Sequence, residues 1–221
     1  MKIERIIRSK RRTIALHISD DASLIVRAPL KASNEVINKV VLKHRNWIEK
    51  KKREIQIRNN SFTKKEYIDG EGFLYLGKYY RLRLVEDQER PLDFKEEFYL
   101  SKKYLLNAKE LFIEWYREKS YENIYPRVKW YAQRRGFKYN KIRITAAQKR
   151  WGSCACGGNL NFSWRLIMAH LAVVDYVVVH ELVHLEEKNH SWVFWNKVGM
   201  LMPDYKKYQE WLKKNGHLLR L

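Results

Sequence analysis

Three histidines and a glutamate near the C-terminus are the residues best suited to chemistry. His180-Glu181-Leu182-Val183-His184 forms an HExxH arrangement, with its two imidazoles four residues apart. On an α-helix that spacing puts both rings on one face, close enough to share one zinc ion. Glu181 points to the flank of that face, where it can hold a metal-activated water without binding the metal. The rest of this helix is apolar nearly all round, which predicts a buried core helix. Titratable groups on a buried helix need a reason, and a metal ion supplies it.

His190 is the expected third ligand, completing HExxHxxxxxH. On a continuous helix it would lie about 240° around from His184 and about 9 Å further along, so the helix must end first. The break is expected at Lys188-Asn189, because Asn tolerates a left-handed conformation. Ser191 can then cap a helix from Trp192 to Leu201, ahead of Pro203. Glu210, from a later helix, and His217 are the other candidates for the third position. Three neutral nitrogen ligands leave Zn²⁺ an open coordination position, as in catalytic sites, and one Zn²⁺ is the expected cofactor. Glu181 is then the general base and returns its proton to the leaving group. Cys154 and Cys156 are too close for a zinc knuckle or a structural disulfide and read as packed or rim thiols. Asp175 either orients a ligand or sits favourably near the helix N-terminus.

The elements that must position these groups are mixed. Thr13 to Ile18 and Ser23 to Ala28 read as strands joined at Asp20-Asp21. From Ser33, apolar residues recur with helical period as far as Ile55, with Lys39, Lys43, Arg45 and Lys50 on the other face. This is a basic amphipathic helix of about six turns. Residues 59–66 read as a linker. Strands are expected in Gly72 to Val85, broken at Gly77, and from Glu96 to Leu100. A helical stripe runs from Leu105, with Pro126 starting a new helix or kinking the old one, to a stop at Gly136. Lys141 to Ala146 and Asn159 to Trp164 are strands around a loop, followed by the HExxH helix from about Ala172 to Glu187. The domain reading is a basic β-rich region with one helix over 1–100 and a catalytic domain over 101–221.

The 221 residues carry 45 Lys and Arg against 25 Asp and Glu, a net charge of +20. Residues 1–58 hold +10 of it, residues 59–150 hold +8, and residues 151–221 only +2. Such a field favours polyanions, so DNA, RNA or nucleotides are candidate partners of the first two-thirds. A hydrophobic content of 45% excludes a disordered chain, and no apolar run is long enough for a membrane span. The lack of an apolar segment behind Met1-Lys2 and the poverty in cysteine suggest a cytoplasmic setting.

Arg150-Trp151-Gly152-Ser153-Cys154, Gly158-Asn159-Leu160-Asn161, Trp164-Arg165-Leu166-Ile167, Asp175-Tyr176-Val177-Val178 and His180 to His190 with Phe194-Trp195 resemble the YgjP-like metallopeptidases, relatives of the WLM and SprT-like zincins. The resemblance is strongest over residues 140–215. It implies an α+β fold with a zincin-like metallohydrolase core behind an N-terminal basic β-hairpin and helix region. It also implies His180, His184 and His190 as ligands and Glu181 as base. His170 departs from the pattern where proline is usual, Cys156 where serine is usual, and Glu187 stands where metzincins place glycine. Met200 and Met202 then read as helix-end core residues rather than a Met-turn. In zincins the substrate lies along an edge strand, so Asn159 to Trp164 or the Trp151-Gly152-Ser153 loop is expected to border the groove. Trp151, Ser153, Asn161 and Arg165 are the candidate substrate contacts, with Arg165, Tyr205 and Tyr208 as candidates for the oxyanion.

The leading functional expectation is a cytoplasmic zinc metallopeptidase acting on peptides or proteins, recruited to nucleic acid by its basic surface. A zinc hydrolase of nucleotides or other small phosphorylated substrates is the second reading. A nucleic-acid-binding module with a vestigial metal site is the third. A peptidase needs an open groove beside an edge strand, whereas a nucleotide hydrolase needs basic residues converging on a closed pocket.

Overall fold

Leu24, Val26 and Ala28 alternate along one strand and are completely buried, which fixes the inner face of the first sheet. The structure, a computed structural model, describes residues 2–19, 21–60 and 65–221, with the side chains of 57–60 left aside. Contacts divide the chain into two units, Met1–Thr63 and Lys64–Leu221. Asp20 and residues 61–64, the centre of the expected linker, lie outside the described residues.

The first unit contains β1 (Arg5–Ser9), β2 (Ala15–Ile18), β3 (Leu24–Pro29), α1 (Asn34–Lys43) and α2 (Arg45–Asn60). β3 is central, antiparallel to β2 and parallel to β1, a strand that sequence reading missed. Ile37, Val41 and Ile48 from the helices close a small core over Leu24, Val26 and Ala28. Ser33 caps α1, its hydroxyl accepting from the Val36 amide. The expected six-turn helix is two helices, because His44 leaves helical geometry at φ −103° and ψ 18°.

The second unit holds β4 (Gly72–Tyr75), β5 (Lys78–Val85), β6 (Leu92–Phe94) and β7 (Phe98–Ser101), in spatial order β4-β5-β7-β6. Next come the long α3 (Ala108–Arg135), then β8 (Lys141–Thr145), β9 (Gly152–Ala155) and β10 (Asn159–Ser163) in the order β8-β10-β9. The chain ends with α4 (Leu171–Val183), α5 (Trp192–Leu201) and α6 (Tyr205–Asn215). The architecture is α+β.

The boundary expected at 100/101 does not divide the structure, because the β4–β7 sheet packs on α3. Phe73 stacks on Phe112 with ring centres 4.1 Å apart, and the Tyr116 hydroxyl donates to the Leu74 carbonyl at 2.7 Å. Those contacts put residues 72–101 into the core of the second unit. α3 runs unbroken through Pro126. Arg127 Nη1 donates to the Asn123 carbonyl at 2.9 Å, one residue after Glu122, whose carbonyl loses its backbone donor to the proline. Gly136 stops the helix in the left-handed region, at φ 71°.

Candidate metal centre

α4 holds Leu171-Ala172-Val173-Val174-Asp175-Tyr176 and four further valines, a composition whose β-branching disfavours helix. Burial overrides the preference: Val174, Val178, Val179, Leu182 and Val183 are fully enclosed. Asp175 pairs with Arg127 of α3, Nε to Oδ1 3.1 Å, which ties the two helices together and leaves the carboxylate away from the histidines. His170, where proline was expected, precedes the helix and fills the space above Gly77. A Cβ at Gly77 would come within 2.1 Å of the ring, so the left-handed Gly77 turn and the imidazole require each other.

α4 ends at Val183, four residues before the end expected from sequence. His184 already lies beyond the last full turn, and its Nδ1 meets the Glu187 carbonyl at 2.9 Å. Lys188 Nζ donates to the carbonyl of His184 at 3.0 Å. Asn189 does not adopt a positive φ, so the left-handed break expected there is replaced by this hydrogen-bonded turn. Ser191 then caps α5, its hydroxyl accepting from the Phe194 amide, as its spacing indicated.

The turn brings His190 back to the helix. Its Nε2 lies 3.0 Å from Nε2 of His180 and 3.2 Å from Nε2 of His184. All three rings enclose the edge or face of Phe194, at centroid distances of 4.6 to 4.9 Å. Four-coordinate zinc with nitrogens at about 2.0–2.1 Å separates those nitrogens by about 3.3 Å, so the spacing and donor chemistry fit one such ion. The Glu187 carbonyl takes the Nδ1 proton of His184 and leaves the Nε2 lone pair aimed at the other two rings. His180 Nδ1 is buried without a hydrogen-bond partner. Burial, reinforced by the two neighbouring imidazoles, holds His180 down to about 3. His190, mostly exposed, is lowered in the same direction, by burial and then by His184.

Glu181 is 5% exposed and sits against β9. A Cβ on Gly152 would lie 2.6 Å from both Cγ and Oε1 of Glu181, so only glycine lets the carboxylate lie on the strand. Burial pushes Glu181 up to about 8, against the opposing pull of a hydrogen bond from the Cys154 amide and of the Arg150 charge. Sequence reasoning missed both Gly152 and the Cys154 amide; the hidden signal was the glycine inside Trp151-Gly152-Ser153-Cys154.

Of the four candidate substrate contacts, Trp151 reaches the centre and lines a cavity that also touches His180 and Glu181. Ser153, Asn161 and Arg165 do not line it. Asn161 Nδ2 approaches the Ser153 carbonyl and hydroxyl, both at 3.4 Å, while its neighbours Leu160 and Phe162 point into the core. Arg165 is used structurally, donating to the Ala146 carbonyl at 3.0 Å and lying over the Trp164 ring at 4.2 Å. Tyr205 completes a stack with Trp195, which itself stacks on His190. Glu210 pairs with Lys214, and neither it nor His217 belongs to the three-histidine group. β10 is paired on both sides, so Asn159 to Trp164 offers no edge; β9 is the edge strand beside α4. Both cysteines are free thiols.

The sequence profile of the YgjP-like metallopeptidase domain matches residues 12–215, nearly the whole chain. The chain belongs to the YgjP-like metallopeptidase family. Among solved structures, the crystal structure of the metallopeptidase zymogen of Pyrococcus abyssi abylysin is similar at 18% identity and a TM-score of 0.38. The match covers 41% of this chain and 93% of that one. No curated protein matches by sequence. A YgjP-like domain makes this chain a metallohydrolase of the metallopeptidase kind, and its three-histidine group is a candidate for the family's metal. Among the described residues no helix is long and apolar enough to cross a membrane.

Proposed function

We propose that the chain is a zinc-dependent, zincin-like peptidase in which His180, His184 and His190 hold one ion and Glu181 is the general base. One observation carries the reading. The buried Glu181 carboxylate follows His180 and lies against Gly152 of the edge strand β9, beside a cavity that no Lys or Arg among the described residues lines. A nucleotide hydrolase would require cations there for the phosphates, and a purely structural metal would require no base.

Zinc, when bound, makes water a better acid and polarises a carbonyl. The remaining functions fall to the chain. The backbone groups on the open side of β9 can receive an extended peptide as an added strand. Glu181 takes a proton from the attacking water and delivers it to the leaving amine. Burial holds the Glu181 carboxyl up to about 8 in the metal-free chain, which favours the form that delivers a proton, and the charge of a bound ion would favour the carboxylate that accepts one. The fixed His184 tautomer keeps a ligand lone pair directed into the centre. The net +10 of residues 1–58 supports nucleic acid as a docking partner, and the two free thiols suit a cytoplasmic location.

The direct test is turnover of an unstructured protein by zinc-loaded enzyme, with and without single-stranded DNA, beside Glu181→Gln. Cleavage in the wild type, reduced at least about 1,000-fold in Glu181→Gln at equal zinc content, is expected. Cleavage of nucleoside triphosphates but of no peptide would overturn the reading. Stimulation by DNA that fades with added salt is the expected signature of docking.

A further inference from the structure

A cavity of about 260 Å³ opens beside His180 and Glu181, on the side of α4 one turn before His180. Its walls are Trp151, Val177 and Leu212, with Tyr176 and Gln209 as its polar groups. We infer that this cavity is a specificity pocket that takes one uncharged, apolar side chain of the substrate, next to the bond to be cut. The inference rests on the peptidase reading and adds the substrate class to it.

The walls are built for the purpose. Trp151 lies against Gly216, where a Cβ would come within 2.8 Å of indole Cζ2, so only glycine at 216 lets the indole approach this closely. Val177 and Leu212 are 4% and 8% exposed, held by the core behind them. Gln209 lies close enough to the Tyr176 hydroxyl to lower its proton affinity, against the upward push of burial, so the two polar groups sit together on one wall. Apart from Glu181, which the chemistry uses, no Asp, Glu, Lys or Arg among the described residues lines the space. A charged side chain entering it would lose water and find no dedicated counterion, whereas each methylene buried is favoured about fourfold. The volume falls just short of the range that holds a drug-sized ligand, which suits a single side chain better than a nucleotide.

The first test needs no catalysis. The N-acetyl amides of Leu, Phe, Lys and Glu are titrated into the full chain without metal, following the Trp151 indole and Gln209 side-chain amide signals by NMR. Leu and Phe amides should shift both signals, and Lys and Glu amides neither. Absence of any shift, or equal shifts from all four, overturns the pocket.

The second test uses the zinc-loaded enzyme on a peptide series varied at one position. Leu or Phe should exceed Lys or Glu by about tenfold or more in kcat/KM. Gln209→Glu should move the preference toward Lys, and Leu212→Trp should favour Ala over Phe by filling the space. Cleavage with no side-chain preference would sink the pocket and leave the peptidase reading standing. Amide binding without any peptide cleavage would sink the peptidase reading and leave the pocket as a site for small apolar groups.

Discussion

The two halves of the three-histidine group are held by different means. His180 and Glu181 belong to α4, whose valines are locked into the core, and Gly152 and the Cys154 amide of β9 close over Glu181 from the other side. His190 is exposed, on a strap between α4 and α5 that relies on local bonds. Those bonds are His184 Nδ1 to the Glu187 carbonyl, Lys188 to the His184 carbonyl, and Lys197 to both Glu186 and Glu187 at 2.8 Å. The helix half is therefore preformed by packing, while the strap half is assembled by a few hydrogen bonds and by the ion that the three nitrogens would share.

The most damaging small change to the rigid half is Gly152→Ala. The new Cβ must displace the Glu181 carboxylate, since it would stand 2.6 Å from Oε1. An ångström-scale shift of a base costs about 100-fold in rate, so kcat/KM should fall by about that factor while zinc content is unchanged. Full activity in Gly152→Ala would show that the base acts from some other position.

Removing one ligand from each half sharpens the contrast. His180→Ala and His190→Ala should both lose tight zinc binding. In metal-free protein, however, His180→Ala should destabilise the fold by about 1–3 kcal/mol, because it empties space among Phe194, Trp195 and Tyr176. His190→Ala should change it by no more than about 0.5 kcal/mol, as at other exposed positions. Equal melting temperatures for the two metal-free variants would erase the distinction between packed and strapped halves.

Acid–base linkage isolates the helix half again. Glu181 is at about 8 when folded and near 4.5 when unfolded, so between those values the folded chain holds the extra proton and stability falls as pH rises. His180 acts oppositely: its folded value is about 3 against 6.5 unfolded, so stability falls as pH drops below 6.5. His190 is lowered too and adds to the acid-side loss. From pH 6.5 to 8 only the Glu181 effect operates among these three. The metal-free protein should lose about 2 kcal/mol across that interval, and Glu181→Gln should abolish the loss. Denaturant melts of both proteins at pH 6.5 and 8 measure it.

Sequence legibility followed the same division. Helical spacing put His180, Glu181 and His184 together, and the Ser191 cap and Gly136 stop were readable because each is a local side-chain or backbone property. β9 was not readable: Gly-Ser-Cys-Ala has no apolar alternation and is a strand only because β10 pairs with it. β1 likewise depends on β3. The end of α4 was misjudged because a tertiary-looking choice, the His184 imidazole bonding the Glu187 carbonyl, competes with another helical turn. Ser153 and Asn161 carried family-like motifs, yet they bond to one another across β9 and β10 rather than lining the cavity.

The subtlest test addresses the strap alone. Lys197 reaches from α5 to two carboxylates that flank the turn, and these hydrogen bonds raise its proton affinity, so it stays charged and both contacts persist at neutral pH. Because its ends are partly solvated, it adds little to global stability. Its effect should fall on the position of Glu187, whose carbonyl fixes the His184 tautomer, and through it on the ion. Lys197→Met should weaken zinc binding by about threefold to tenfold, in a competition assay with a chelator, without moving the melting temperature of metal-free protein. Salt should weaken zinc binding in the wild type more than in Lys197→Met, because only the wild type has charges there to screen. An unchanged affinity would mean that the strap is held by His184, Lys188 and the Ser191 cap alone, and that the two halves differ less than their burial implies.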